Sequence, residues 1–331
     1  MTTAQPATGV SSPSQSPPAV RFRISRFRRI AWVISLLACL LSLVGISLCW
    51  INPEIRAPLR PGLDFTGGTQ IQLQRSCGDA CAPLSAEGIR RTIASISLPA
   101  DAAQRPPSLA GAGVQLLDGG RRLELRLPDL SAAQGQFVVR AMEADAGPFL
   151  PSATSVNTIG PTLGSRLLRS SLISLLVSFA AISAYIAFTY SGVYAFLALF
   201  CLAHDVLITC GVFAWLGLLL GLEVDSLFAV ALITIAGYSV NDTVVIYDRI
   251  REQKKLSAEQ PLIEQVDVAV DATLTRSLYT TFTTILPLLA LILFGGSSLF
   301  WFAVTLSIGF LVGSWSSIGV APTLLPVLAR R

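Results

Sequence analysis

Charge is what this sequence most lacks. Asp, Glu, Lys and Arg make up only 13% of its 331 residues, where a soluble domain carries about 25%. With a mean hydropathy of +0.63, an ordinary soluble enzyme is excluded. The deficit is uneven: residues 277–329 hold no charged side chain, and 170–222 hold only Asp205. Histidine is nearly missing as well, His204 being the single one, and no metal-spaced cluster accompanies it. No metal or cofactor is therefore expected. After Gly67-Gly68 no Gly-Lys-Ser/Thr follows, which argues for a turn feeding a strand rather than a phosphate loop. The net charge of +4 gives no footprint for nucleic acid.

What is present is long apolar chain. A span needs roughly 20 mostly apolar residues. One fits at about 30–51, two fit within 166–217 with a break at 189–192, and a fourth runs about 226–247. The stretch 277–329 accommodates two more, divided at Gly295-Gly296-Ser297-Ser298. The expectation is six spans, one followed by five. Residues 1–20, rich in Ser, Pro, Thr and Gln, read as a disordered tail. Arginines 21, 23, 26, 28 and 29 then crowd against the first span within the segment 21–53. That span is too long for a signal peptide and has no A-x-A site. The positive-inside rule puts both termini in the cytoplasm, together with Arg249, Arg251, Lys254, Lys255 and Arg276.

Residues 54–160 are long enough for a folded domain outside the membrane. Thr69–Arg75 alternates as a strand, and Ser85–Ser97 reads as a helix with Ser85 as N-cap. Two strands, Val114–Leu117 and Arg121–Leu127, flank the hairpin signal Asp118-Gly119-Gly120. A helix over Ser131–Ala146 opens with the capping box Ser131-x-x-Gln134, and Ser152–Thr158 supplies a last strand. This β-α-β-β-α-β order predicts an α+β ferredoxin-like sandwich between spans one and two. The fold class is thus an α-helical membrane protein carrying an extracytoplasmic α+β domain. Spans two to six occupy 161–331, with a cytoplasmic amphipathic helix on the membrane surface within 249–275, where Leu262, Val266, Val270 and Leu274 recur at helical spacing.

Cys39, Cys49, Cys201 and Cys210 lie in apolar stretches, where a thiol acts as a small hydrophobe. Cys77 and Cys81 fall outside the membrane around Gly78-Asp79, and are predicted to form a disulfide.

Five motifs, in order, carry a family resemblance. They are Gly62-Leu63-Asp64-Phe65-Thr66-Gly67-Gly68-Thr69, Ile159-Gly160-Pro161 and Ala203-His204-Asp205-Val206. Next come Gly237-Tyr238-Ser239-Val240-Asn241-Asp242-Thr243-Val244-Val245, continued by Tyr247-Asp248-Arg249-Ile250-Arg251-Glu252, and Thr273-Leu274-Thr275-Arg276-Ser277 with Thr280-Thr281. Together they resemble the SecF family of protein-export membrane proteins, within the resistance-nodulation-division superfamily. The resemblance implies a SecD-like partner of six further spans and work beside the SecYEG translocon, with YajC and YidC as associated subunits. It implies use of the proton gradient to promote late translocation and release of an unfolded secreted chain at a plasma (inner) membrane. An internal energy-transducing membrane is the alternative. The Pro/Ser tail and the Cys77–Cys81 insertion depart from the family pattern.

Physical chemistry singles out some of the same residues. A carboxylate at the bilayer centre costs about 2.5–3.5 kcal/mol on insertion scales, which makes Asp205 and Asp242 candidate ion-pathway groups. Asp242 is expected to carry the proton, with Arg276 as its charge partner. Asp205, His204, Tyr238 and Thr280 are the supporting candidates. The alternative for both aspartates is a structural carboxylate capped by Ser/Thr hydroxyls and packing two helices, with His204 and Thr209 satisfying Asp205. For Arg276 it is an interfacial side chain reaching to the cytoplasm. Thr234, Tyr238 and Asp242 form one helical stripe, and Arg276, Thr280 and Thr284 a second. Competing readings are an exporter of the same superfamily, a passive translocon scaffold, and an intramembrane aspartyl protease. The protease lacks its Gly-x-Gly-Asp.

Overall fold

The computed structural model describes residues 21–53, 55–77, 83–99 and 107–329. The expected tail 1–20, Cys81 and the terminal arginines 330–331 lie outside the described residues. Among those described, six helices are long and apolar enough to cross a membrane.

The first is α1 (Arg28–Ile51), entered through a 3-10 turn at Ile24–Arg26. A one-turn helix α2 (Leu63–Thr66) then leads into strand β1 (Gly68–Gln74). Helix α3 (Ala86–Ser95), strands β2 (Gly113–Leu117) and β3 (Arg122–Leu127), helix α4 (Ala132–Ala146) and strand β4 (Ser155–Ile159) follow. Ser85 caps α3 by accepting from Gly88 N, and the Ser131–Gln134 capping box of α4 is complete in both directions. The four strands form one antiparallel sheet in the order β2-β3-β1-β4. Ile71, Leu73, Leu123 and Leu125 point from it onto Ile89, Ile93, Val138 and Met142, all buried. Alternation along each strand puts its apolar residues on this helix-covered face.

Cys77 is disulfide-bonded, while Cys39, Cys49, Cys201 and Cys210 are free. The expected partner of Cys77 is outside the described residues.

Five long helices follow the sheet: α5 (Pro161–Thr189), α6 (Gly192–Leu220), α7 (Ser226–Leu256), α8 (Leu262–Phe294) and α9 (Gly296–Trp315). A π-helical turn, Ser316–Val320, joins α9 to α10 (Ala321–Leu328), so the sixth span is a broken helix rather than a continuous one. Pro322 in the first turn of α10 explains part of this break, since it has no N–H to continue the ladder.

The amphipathic segment 249–275 is not a separate surface helix. Its first residues complete α7, and from Leu262 it is the start of α8, one helix of 33 residues. No breaker separates Thr273 from Ser277, and the stripe Val266, Ala269 and Val270 is buried against Leu197, Tyr247, Ile250 and Leu325. The apolar face that suggested a membrane surface meets protein instead. The flank of this buried stripe holds the chain before α1, whose Ile24 joins the same core. Asp267 accepts from Ser25 N at 2.9 Å and Ser25 Oγ at 2.6 Å, and Asp271 accepts from Phe22 N at 2.8 Å.

Helices approach closely where side chains are smallest, as apolar solvent requires. On α1, a Cβ at Gly45 would come within 2.7 Å of Trp215 Nε1, which itself donates to Leu41 O at 3.0 Å. A Cβ at Gly211 would sit 2.1 Å from Ser42, so α1 and α6 touch backbone to backbone. Gly211→Leu is expected to push α1 off the bundle. Cysteine crosslinking between α1 and α6, efficient in the parent, would report the loss.

Candidate functional site

The two intramembrane aspartates have opposite environments. Asp205, on α6, is fully buried. Its Oδ1 lies 2.8 Å from His204 Nδ1, and its Oδ2 accepts from Ser239 Oγ at 2.5 Å and Ser316 Oγ at 2.8 Å. Ser239 comes from α7 and Ser316 from the π-helical turn. This carboxylate therefore ties three spans together with both oxygens satisfied. Thr209 does not contribute as expected, because its hydroxyl donates to the backbone carbonyl of Asp205. His204 spends one ring nitrogen on Asp205 and leaves Nε2 buried without a partner.

Asp242, on α7, is 6% exposed. Its Oδ1 accepts from Ser277 Oγ of α8 at 3.0 Å, and its Oδ2 is buried without a partner. An unsatisfied buried carboxylate oxygen is costly and rare enough in folded proteins to need a reason. A second link between the same helices runs four residues away, from Tyr238 Oη to Thr281 Oγ1 at 2.9 Å. Asp242 and Tyr238 thus face Ser277 and Thr281 across the α7–α8 seam, each pair spaced by one helical turn.

The expected stripe on α8 is displaced by one residue. Arg276 is exposed, and Thr280 returns its hydroxyl to the carbonyls of Arg276 and Ser277. Thr284 does the same toward Thr280, and on α7 Thr234 turns back to Val230. No ion pair joins Arg276 to Asp242 among the described residues. Adjacent helical residues point about 100° apart, so Ser277 is buried against α7 while Arg276 is exposed, its guanidinium still within electrostatic reach of Asp242. Ser277 and Thr281 were legible only as part of the motif, and Ser239 and Ser316 gave no signal beyond being small hydroxyls in apolar sequence. The two aspartates have separate hydroxyl partners, Ser239 and Ser316 for Asp205 and Ser277 for Asp242.

The glycine motif lies at the other end of α7. Asp64 Oδ2 accepts from Ser226 N at 3.0 Å and from Ser226 Oγ. Gly62 N donates to Val224 O at 2.8 Å, and Val224 N donates to Arg60 O at 2.9 Å. Gly67 and Gly68 have φ of +71° and +121°, a region that favours glycine, and a Cβ on Gly68 would meet Leu127 O at 2.7 Å. Gly164, in the first turns of α5, presses against the backbone of Phe65 and Gly67. Asp225, the N-cap of α7, accepts from Phe228 N at 3.0 Å. Burial raises its carboxyl above the ordinary range, opposed by that N–H, and the neighbouring Asp64 pushes in the same direction as burial.

Two family models match the chain. One, described as "Protein export membrane protein SecD/SecF, C-terminal", covers residues 139–331, and the "SecD/SecF GG Motif" covers residues 56–78. The protein translocase subunit SecF of Prochlorococcus marinus is 49% identical over 92% of this chain and 94% of its own length. That of Synechocystis is 41% identical over 92% and 93%. The crystal structure of SecDF from Thermus thermophilus superposes with a TM-score of 0.76 at 30% identity, covering 94% of this chain. This chain spans 39% of that SecDF chain. With six apolar helices, the matched motifs on α2 and α7, and relatives along nearly the whole length, this multi-pass membrane protein belongs to the SecD/SecF protein-export family.

Proposed function

We propose that the chain is the SecF subunit of a Sec protein translocase, pairing with a SecD-like subunit and using the proton gradient to promote late translocation and release of secreted chains. The relatives that carry SecD and SecF in one SecDF chain, from Thermus thermophilus and Brucella abortus, support the pairing. The polar groups left on the outer face of α8, Arg276 and Thr280, support it too, because lipid solvates a guanidinium poorly. SecYEG is the working partner, and YajC and YidC complete the assembly.

The observation that carries the proton reading is the unpartnered Oδ2 of Asp242, buried within a span. Asp242 takes up a proton in one state and releases it in the other. Burial favours the neutral carboxyl, and an approaching guanidinium favours the ionised one. Arg276 immediately precedes Ser277 on α8, so a partial turn or tilt of α8 brings its long side chain closer to Asp242. Arg276 keeps its charge throughout, so it gates the proton without carrying it. A displacement of α7 and α8 then moves the α+β unit 54–160, whose strand order supports a ferredoxin-like sandwich. Arginine placement argues for both termini in the cytoplasm and this unit outside; the host is a plasma (inner) membrane, with an internal energy-transducing membrane as the alternative.

Vesicles holding this chain, a SecD-like subunit and the translocon test the reading. Export is expected to rise when a proton gradient is imposed and to fall to the basal level when it is collapsed. Arg276→Met should abolish that increment and Arg276→Lys retain part of it. A crosslinker at Thr280 should capture the SecD-like subunit. Capture of lipid alone, or export indifferent to the gradient, would defeat the proposal.

A further inference from the structure

The first residue of α7 spends both its donors on a carboxylate from far away in the chain. Ser226 N and Ser226 Oγ donate to Asp64 Oδ2, across 162 positions of sequence. A helix start has N–H groups without intrahelical acceptors, and a negative charge there is favoured by the helix dipole. Asp225 supplies the ordinary cap from its own chain position. Asp64 adds a second one, and it belongs to the one-turn helix that opens directly into β1.

No slack separates these parts. Gly67 and Gly68 turn the chain from α2 into the strand within two residues, and Gly68 pairs with Ile159 of β4. Beside Asp64, Gly62 and Val224 exchange backbone hydrogen bonds with the help of Arg60, as two short extended segments lying parallel. A side chain at Gly62 would meet Val224 O at 2.9 Å. Glu223, in the same α6–α7 connection, pairs with Arg60 at 3.6 Å and with Arg126 of β3. The central strands of the sheet are therefore bolted to the first turn of α7. Asp242 lies 16 residues further along that helix, about 24 Å at 1.5 Å per residue.

The geometry points to Asp64 as a positioning residue that couples the sheet to α7, so that movement of α7 at Asp242 is delivered to the sheet. Arg60, Glu223 and Arg126 keep the α6–α7 connection from swinging as α7 moves. This inference rests on the proton reading of Asp242. Its consequence is a joint whose loss separates proton movement from export, with the membrane bundle and the sheet each still folded on its own core.

Two variants break the joint in different ways. Asp64→Ala removes the acceptor. Ser226→Pro removes both donors at the first helical position, where proline is well tolerated, after a residue already in extended conformation. Both are read in the vesicles above, with proton flux and gradient-driven export measured on the same preparation. Each is expected to conduct protons as the parent does while losing gradient-driven export. Asp64→Asn, which keeps one oxygen acceptor, should regain part of the export. Export at the parent level from Ser226→Pro or Asp64→Ala would overturn the coupling role. Loss of flux together with export would overturn it too, since Asp64 would then be holding the proton site itself. The proton reading fails separately, and takes the joint with it, if the parent carries no flux or Asp242→Asn exports normally.

Discussion

Asp242→Asn is expected to insert, accumulate and bind its SecD-like partner normally while losing all gradient-dependent stimulation of export. Asparagine keeps the size of the side chain and an acceptor for Ser277, so the α7–α8 seam should hold. What disappears is titration. The membrane potential supplies about 2.3 kcal/mol per charge per 100 mV, and a group that cannot change charge cannot draw on it. The unpartnered oxygen makes the prediction sharper, because the amide replaces a carboxylate oxygen that no donor holds. Export kinetics at matched protein levels, with and without a proton gradient, decide the matter. Stimulation at the parent level would leave the scaffold reading ahead.

Asp205→Ala should fail in another way, by loss of the folded protein. Its carboxylate receives His204, Ser239 and Ser316. Truncation strands the buried His204 Nδ1 and Ser239 Oγ, at about 1–3 kcal/mol for each one left unsatisfied, while Ser316 Oγ keeps the Gly313 carbonyl as an acceptor. It also unties α6 from α7 and from the π-helical turn. Asp205→Asn retains acceptor capacity and is expected to recover most of the abundance and export. Membrane levels and thermal aggregation in detergent check this order. An Asp205→Ala protein that is as abundant and heat-resistant as the parent, but inactive, would move Asp205 from the structural role to the proton path.

The different fates of the two aspartates mark the limit of the sequence. Each sits in an apolar helix, and the local pattern that ranks Asp242 above Asp205 does not say which side chains reach either carboxylate. Their partners come from elsewhere, Ser239 and Ser316 for Asp205 and Ser277 for Asp242. Only packing decides which oxygens those hydroxyls reach. The facing of α8 is similar. Arg276 and Ser277 are neighbours in sequence but about 100° apart around the helix, so a stripe can be read one residue out of register. Arg276 and Thr280 fit the helical period as well as Ser277 and Thr281 do.

The clamp at Asp64 was legible as a motif but not as a contact. Nothing local in the sequence pairs Ser226 and Glu223 with residues 60–64. The amphipathic stripe of 262–274 was likewise real, but periodicity reports only that a face must be covered, and here α6, α7 and α10 cover it rather than lipid.

By itself the sequence determined the number and position of the spans, the order of strands and helices between the first two, and the identity of the charged groups inside the membrane. Those follow from constraints along one dimension: apolar length against bilayer thickness, side-chain period and local caps. The tertiary structure alone decided that Asp205 is tied, that Asp242 keeps a free oxygen, and that α7 begins on a carboxylate of the sheet's own entry turn. Hydrogen bonds between distant segments depend on where packed helices bring their ends and faces, and no local period encodes that.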